Sequence, residues 1–361
     1  MRVGIQYKVQ KVLAKIDLKN IRHNAEAFAR LTGKPVCAVI KANAYGHGAE
    51  EVACAIEGTV SCFAVSILSE AVAVRTAVCG KDILILTPPL CGEEIILSGR
   101  NGFLQSVGDL KTAIAVVSAA EKHRLPVRVH IKVNTGMNRY GTNLQTLGRI
   151  CTCFKKSSFV KVEGVYSHLY GNTRERALEQ RERFLRFVTV CRKYYPSVIA
   201  HLSATYGTLL GDEFLFDMAR IGIGLYGYLP DGAKDIDKTR ADCLRLKKAM
   251  SVYATVAGTR KFIDGGAGYG DEKTPRETDR LSVVRFGYAD GFLRLKDNGT
   301  DGYEDNANNL CMDACLRWGD YPKGKRIPIM TDALETAKRT GTISYEVLCA
   351  ATRRAEMEYD G

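Results

Sequence analysis

A chain of 361 residues, 46% apolar and 25% charged, can bury a sizeable core without disulfide staples, and its length suggests two domains or one large barrel with an addition. The net charge of +12 suits nucleic acid, an anionic membrane or a small anion, yet no run of five Lys/Arg occurs and acidic residues are interspersed throughout. The charge therefore reads as a preference for small anions, with neither nucleic acid nor membrane expected as a partner.

The first residues, MRVGIQYKVQKVLAKIDL, contain no apolar signal core, and no apolar run reaches membrane-spanning length, so a cytoplasmic protein is expected. The 12 cysteines fall mostly inside apolar segments, among them Cys37, Cys54, Cys62, Cys79 and Cys349. Cys151-Thr152-Cys153 lacks a second pair to complete a zinc site. They read as reduced core residues, and no metal is expected.

From residue 36 onward, short β-branched runs alternate with helix-period segments. Strands are expected at 36–41 (VCAVIK), 62–67, 83–87, 103–107, 127–133, 160–169, 198–204 and 216–221. Between two of them, GDLKTAIAVVSAAEKH places Leu110, Ile114, Val117 and Ala120 on one face. Similarly, ERALEQRERFLRFVTVCRKY aligns Phe184, Phe187, Val188 and Cys191. Eight such units predict an α/β fold, a (β/α)8 barrel of the TIM type. Barrels carry their chemistry at the C-terminal ends of the strands. Lys41, Lys132, His168, Ser203 with Thr205, and Arg220 with Gly222 all fall at such ends. One polar residue there could be a strand-end cap, but five at one end point to a site.

The polar stretch LPDGAKDIDKTRADC (229–243) marks a boundary. The reading is a barrel over residues 10–240 and a C-terminal β-rich domain over 241–361, with residues 1–9 packing against the latter. In that domain MSVYATVAGTRKFI, RLSVVRFGYA and RIPIMT read as strands and DALETAKR as one helix.

Several ordered motifs together resemble the alanine racemase family. AVIKANAYGHG (38–48) is similar to its cofactor-lysine motif, and KVNTGMNRYG (132–141) to a second segment. GVYSHL, ARIGIGLYG, GYADGFLR, CMD and GTISYEV follow in the family's order. The resemblance covers nearly the whole chain. It implies a barrel followed by a β domain, and pyridoxal 5'-phosphate (PLP) bound covalently through Lys41. Tyr45, Thr205, Gly222 and Ile223 match positions that hold the phosphate, and Ser203 is expected among the cofactor-binding residues. Arg220 matches the residue facing the pyridine nitrogen, with His168 beside it. Tyr269 matches a catalytic tyrosine that works in the partner subunit's site, so a homodimer with shared sites is implied. Arg139 and Met312 match substrate contacts; Tyr288, Arg294, Asp313 and Arg353 fall in segments around substrate access. Lys132 matches a lysine that is carbamylated in many members.

These residue types suit the chemistry. An amino acid's α-proton needs the electron sink that PLP provides, and lysine supplies the amine that holds it. Inversion is easiest with one base on each face, Lys41 and Tyr269. A phenol, with a reference pKa of about 10, needs a cation or hydrogen bond to act as a base. The implied activity is interconversion of L- and D-alanine, supplying D-alanine for peptidoglycan.

Departures touch the rim. Ala204 replaces a common asparagine, Asn134 an aspartate, Asn309 an arginine and Arg353 a phosphate-contacting tyrosine. They leave a serine or broad-specificity racemase as an alternative. A non-catalytic PLP carrier would need Lys41 but not Tyr269. PLP decarboxylases share the architecture, but their motifs are absent.

Overall fold

The computed structural model describes residues 12–263, 265–269, 278–292 and 310–361. One unit holds residues 19–44 and 49–247. The other holds 12–18, 45–48 and the described residues from 248 onward. In chain order the strands are β1 (Val12–Asp17), β2 (Val36–Val39), β3 (Cys62–Val65), β4 (Asp82–Ile85), β5 (Leu104–Val107), β6 (Val127–Lys132), β7 (Val160–Tyr166), β8 (Ile199–His201), β9 (Ala219–Ile221), β10 (Met250–Lys261), β11 (Arg280–Val284), β12 (Cys315–Trp318), β13 (Arg326–Met330) and β14 (Glu356–Asp360).

In the first unit β2 to β9 form an eight-stranded parallel sheet in the order β8-β7-β6-β5-β4-β3-β2-β9. Its two edges meet. Asp217 N–H donates to Ala200 O at 2.9 Å and Arg220 N–H to Ser203 O at 3.0 Å, closing the barrel. VCAV, CFAV and LQSV are buried along their whole length because helices cover the outside and side chains fill the inside. The eight expected strands are present but shorter. The run expected at 216–221 narrows to β9, and that at 198–204 to β8, the remaining residues becoming mouth loops.

Helices alternate with these strands and are stopped locally. Asp109 and Asn143 cap the helices Leu110–His123 and Leu144–Lys155, accepting from Thr112 N–H at 2.8 Å and Thr146 N–H at 2.9 Å. Helix Arg174–Tyr194 buries Phe184, Phe187, Val188 and Cys191, the face its sequence predicts. In Leu110–His123 the buried face is Ala113, Val116 and Ala120, while Ile114 is 54% exposed. Leu110 and Val117 of the expected stripe pack partly buried against the same core, so the stripe is turned by about one residue and only Ile114 faces out.

The second unit is a mixed sheet ordered β12-β11-β10-β1-β14, with β13 also pairing β10. β10 alternates buried and half-buried residues, as a sheet with one covered face requires. β1 runs antiparallel to β10 and parallel to β14, so residues 12–17 lie in this sheet although the expectation placed them in the barrel. β12, β14 and a second helix, Ser344–Ala351, were also unexpected. EMEYD is too polar to announce a strand; pairing with β1 makes it one. Two glycines of GYADG let backbones cross closely. A Cβ on Gly287 would overlap Met312 O, and one on Gly291 would overlap Ala350 O. No helix among the described residues is long and apolar enough to cross a membrane.

Candidate active site

Lys41 leaves β2 through a strained turn. Ala42, Asn43, Ala44 and Tyr45 all have φ between 52° and 54°, a left-handed turn of non-glycine residues, each costing about 1–2 kcal/mol. Local bonds offset the cost. Ala42 N–H donates to Glu70 Oε1 at 2.7 Å, and the other carboxylate oxygen takes Ser66 N–H at 2.7 Å. Asn43 Oδ1 accepts from Ala49 N–H at 2.8 Å, tying the turn to the helix Ala49–Ile56.

On the strand beside β2, Arg220 is 3% exposed. Its Nη1 donates to His201 Nδ1 at 2.8 Å and His201 O at 3.0 Å; its Nη2 donates to Ser167 O at 2.7 Å and Leu202 O at 3.0 Å, and lies 3.5 Å from His168 Nδ1. A guanidinium only donates, so His201 Nδ1 is an acceptor and its Nε2 carries the proton. That proton points to His130 Nδ1, 2.9 Å away, which fixes the second ring as well. Gly164 makes room, since any Cβ there would overlap the His130 ring. Tyr166 stacks on His201 at 4.9 Å and lies under both Arg220 and Lys132, whose Nζ is 4.6 Å from its ring centre.

The mouth collects cations. Burial first, then Arg220 and Arg139, hold the Lys132 amine well below the usual lysine range. Burial, then Arg220, Lys132, Arg139 and Lys41, holds His168 well below the usual histidine value. Burial and Arg220 do the same for His201, and burial chiefly brings His130 down to about 4. The acidic groups of the barrel interior lie elsewhere, where Arg128 donates to Asp82 and Glu163. Burial would raise the Glu163 carboxyl, but Arg128 and Lys161 hold it at about 2. A mouth of this sign suits an anionic ligand.

Thr205, Gly222 and Ile223 sit together in buried backbone. Thr205 Oγ1 accepts from Gly224 N–H at 3.3 Å, and Gly224 packs so closely that a Cβ would overlap Phe28. Ser203 has another task. It is fully buried and donates its hydroxyl to Phe214 O at 2.6 Å, so it has no proton to offer a ligand. Arg139 is exposed, on a loop that Asn134 shapes by accepting from Gly136 N–H at 2.9 Å and Asn138 N–H at 3.2 Å.

In the other unit Tyr45 is buried beside Tyr345, ring centres 6.0 Å apart, and burial raises its phenol well above the usual value. Gly46 packs against Leu348 O, with Thr352 Oγ1 3.0 Å from where its Cβ would be. Tyr269 is 70% exposed, on a turn with left-handed Gly268, and Met312 is 51% exposed. Arg354 holds Asp313 at 2.9 Å and pairs with buried Asp290 at 3.6 Å. Tyr288 and Arg353 line a cleft of 610 Å³ with Phe292, Thr342, Glu346 and Cys349; Asp313 is not among its lining residues. Arg294 and Asn309 lie outside the described residues.

Residues 16–230 match the model of the alanine racemase N-terminal domain, and residues 249–359 that of the C-terminal domain. The chain belongs to the alanine racemase family. Alanine racemase 1 of Clostridium acetobutylicum is 30% identical over 97% of this chain and 96% of its own length. The solved structure of alanine racemase from Clostridium difficile 630 is 28% identical, covers 97% of this chain and 96% of its own, and superposes with a TM-score of 0.87. That of Bartonella henselae alanine racemase with covalently bound pyridoxal phosphate, 24% identical, shares the fold at a TM-score of 0.82, with 97% of this chain and 99% of its own covered.

PLP can be tested against the donors present. Every hydrogen bond described for Arg220's side chain leaves from Nη1 or Nη2. Its Nε–H, among the described residues, has no protein acceptor, and a pyridine nitrogen is an acceptor that would fit it. Lys41 would supply the amine, and Thr205 a hydroxyl beside tightly packed backbone for a phosphate. The residues present fit the group. Sequence reasoning missed Glu70, His201 and His130. His201 ends β8 as the other site residues end their strands, a signal that was available. Glu70 gives none, because its role is to hold backbone.

Proposed function

We propose that this chain is a PLP-dependent alanine racemase in which Lys41 and Tyr269 of the partner subunit exchange the α-proton on opposite faces of the substrate. The observation that carries the reading is Arg220, saturated by protein acceptors except at Nε and seated one strand from Lys41. Bound through Lys41, PLP supplies the electron sink that makes the α-proton removable. Arg220 would offer its Nε–H to the ring nitrogen without surrendering the proton, which limits withdrawal of charge from the α-carbon and favours return of a proton there.

Lys41 Nζ takes or returns the proton on one face, and the phenol of the partner's Tyr269 does so on the other. The exposure of Tyr269 supports a role completed by a second chain, and we propose a homodimer with shared sites. Thr205, Gly222, Ile223 and Tyr45 would hold the phosphate; Arg139 and Met312 would face the substrate, and Arg294 and Asp313 its approach. Lys132, whose amine is held well below the usual lysine range by burial and by Arg220 and Arg139, is suited to carbamylation, which would give those two arginines an anionic partner. The role of D-alanine supply for peptidoglycan is part of this proposal, as are the domain limits near residue 240 and a cytoplasmic location, which the free cysteines favour.

The test is a chiral assay of the PLP-loaded protein with L-alanine. D-alanine should accumulate to an equal mixture; bound cofactor with no D-alanine above the blank would contradict the reading. Arg353 and Glu346 in the cleft beside Tyr288 favour comparing L-serine. An initial rate with L-serine above that with L-alanine would move the assignment to the broader racemase.

A further inference from the structure

Three sulfurs meet inside the barrel. Cys37 and Cys62 are direct register partners on adjacent parallel strands, and register partners project to the same side of a sheet. Arg220 is the register partner of Cys37 on the next strand, and its side chain faces the Tyr166 ring across the barrel interior. Both cysteines therefore face inward. Met218 precedes Arg220 by two residues, so it shares that face. Cys62 Sγ lies 3.7 Å from Met218 Sδ, and Cys37 stands directly beside Cys62 as its register partner. All three residues are buried.

We propose that Cys37, Cys62 and Met218 form a binding site for a soft monovalent metal ion of the copper(I) class. Two thiolates and a thioether are the ligands such ions select, whereas zinc sites close with four ligands of nitrogen or thiolate type. Three sulfurs each about 2.3 Å from a central ion stand about 4.0 Å apart in a trigonal plane, so the contact seen needs to relax by only a few tenths of an ångström.

Binding of copper(I) replaces two S–H bonds by two Cu–S bonds and adds a thioether donor; two protons leave to solvent and no electron moves. The resulting complex carries one negative charge beside the Arg220 guanidinium, which no carboxylate among the described residues pairs. Cys62 opens β3 and Met218 precedes β9, so the site lies toward the N-terminal ends of the strands, away from Lys41. Cys62 and Met218 are slightly exposed, 8% and 6%, where Cys37 is 0%.

Buried cysteines more often serve as small apolar fillers. Cys151 and Cys191 are also buried and in one core cluster, but they lie on two helices rather than on neighbouring strands, which makes that pair the internal control.

The experiment uses the PLP-loaded protein with its exposed thiols (Cys54, Cys79, Cys91, Cys243 and Cys349) first alkylated, then titrated with copper(I) against a chromophoric copper(I) chelator. One ion per chain should be retained, with X-ray absorption showing three sulfurs at about 2.3 Å. Cys62→Ser should weaken retention by about 100-fold, Met218→Leu by less, and Cys191→Ala should leave it unchanged. No retained copper, or equal retention by Cys62→Ser, would overturn the site. Should Cys62→Ser fail to fold, fewer than three sulfurs around copper in the native protein would overturn it alone.

Discussion

The two units present their functional residues in opposite ways. In the barrel, Arg220, Lys132 and Thr205 are almost wholly buried, and Arg220 is fixed by a network of five acceptor atoms. In the second unit, Tyr269 and Met312 are mostly exposed, and Arg353 is exposed beside an open cleft. Burial with satisfied hydrogen bonds preorganises a group within one chain; exposure leaves its setting to another. The barrel thus looks finished by its own chain. On the proposed reading, the tyrosine of the second unit is completed by a second chain.

The contrast can be broken by substitution. Removing the amine with Lys41→Ala should cost at least about 10⁴-fold in racemisation and abolish covalent cofactor attachment, read by the loss of its long-wavelength absorbance. Residual turnover near normal would remove Lys41 from the chemistry. Tyr269→Phe should cost about 10²–10⁴-fold while leaving cofactor absorbance and thermal stability intact. A Tyr269→Phe variant that also lost bound cofactor would show a structural role instead.

Within the barrel, Lys132 offers a smaller and reversible effect. Bicarbonate should raise the activity of a decarbonated preparation several-fold, with a carbamate signal in ¹³C spectra that Lys132→Ala lacks. Activity indifferent to bicarbonate, with no such signal, would leave Lys132 unmodified.

The mildest change is pH. His130 and His201 are held below the unfolded histidine value, His130 to about 4, so both are neutral when folded. Once the pH falls below about 6.5 the unfolded chain binds protons that the folded one refuses. Stability should then drop by about 1.4 kcal/mol per pH unit for each ring, until the folded pKa is reached. Urea midpoints at pH 7.5, 6 and 5 measure this; unchanged stability down to pH 5 would mean that the rings are charged in the fold.

Most of the barrel was legible because its strands are continuous apolar runs that end in polar residues, a pattern set by burial on both faces. Lys41, Arg220 and Thr205 were singled out that way. The left-handed turn at 42–45 could not, since alanine and tyrosine rarely adopt it and only Glu70 and Asn43, brought in by tertiary folding, hold it. The bond made by the Ser203 hydroxyl was not legible for a related reason. A hydroxyl at a strand end is equally suited to a ligand or to a neighbouring carbonyl, and only the position of Phe214 O decides. Strand β12 is only four residues long and β14 is polar, so pairing rather than composition makes them strands.

The claim that one site draws its two bases from two chains is tested most directly by mixing inactive variants. Lys41→Ala and Tyr269→Phe proteins, unfolded together and refolded in equal amounts, should form half mixed dimers, each with one intact site. Recovered activity should approach about a quarter of the unmodified protein's. A mixture no more active than its separate components would contradict the shared site.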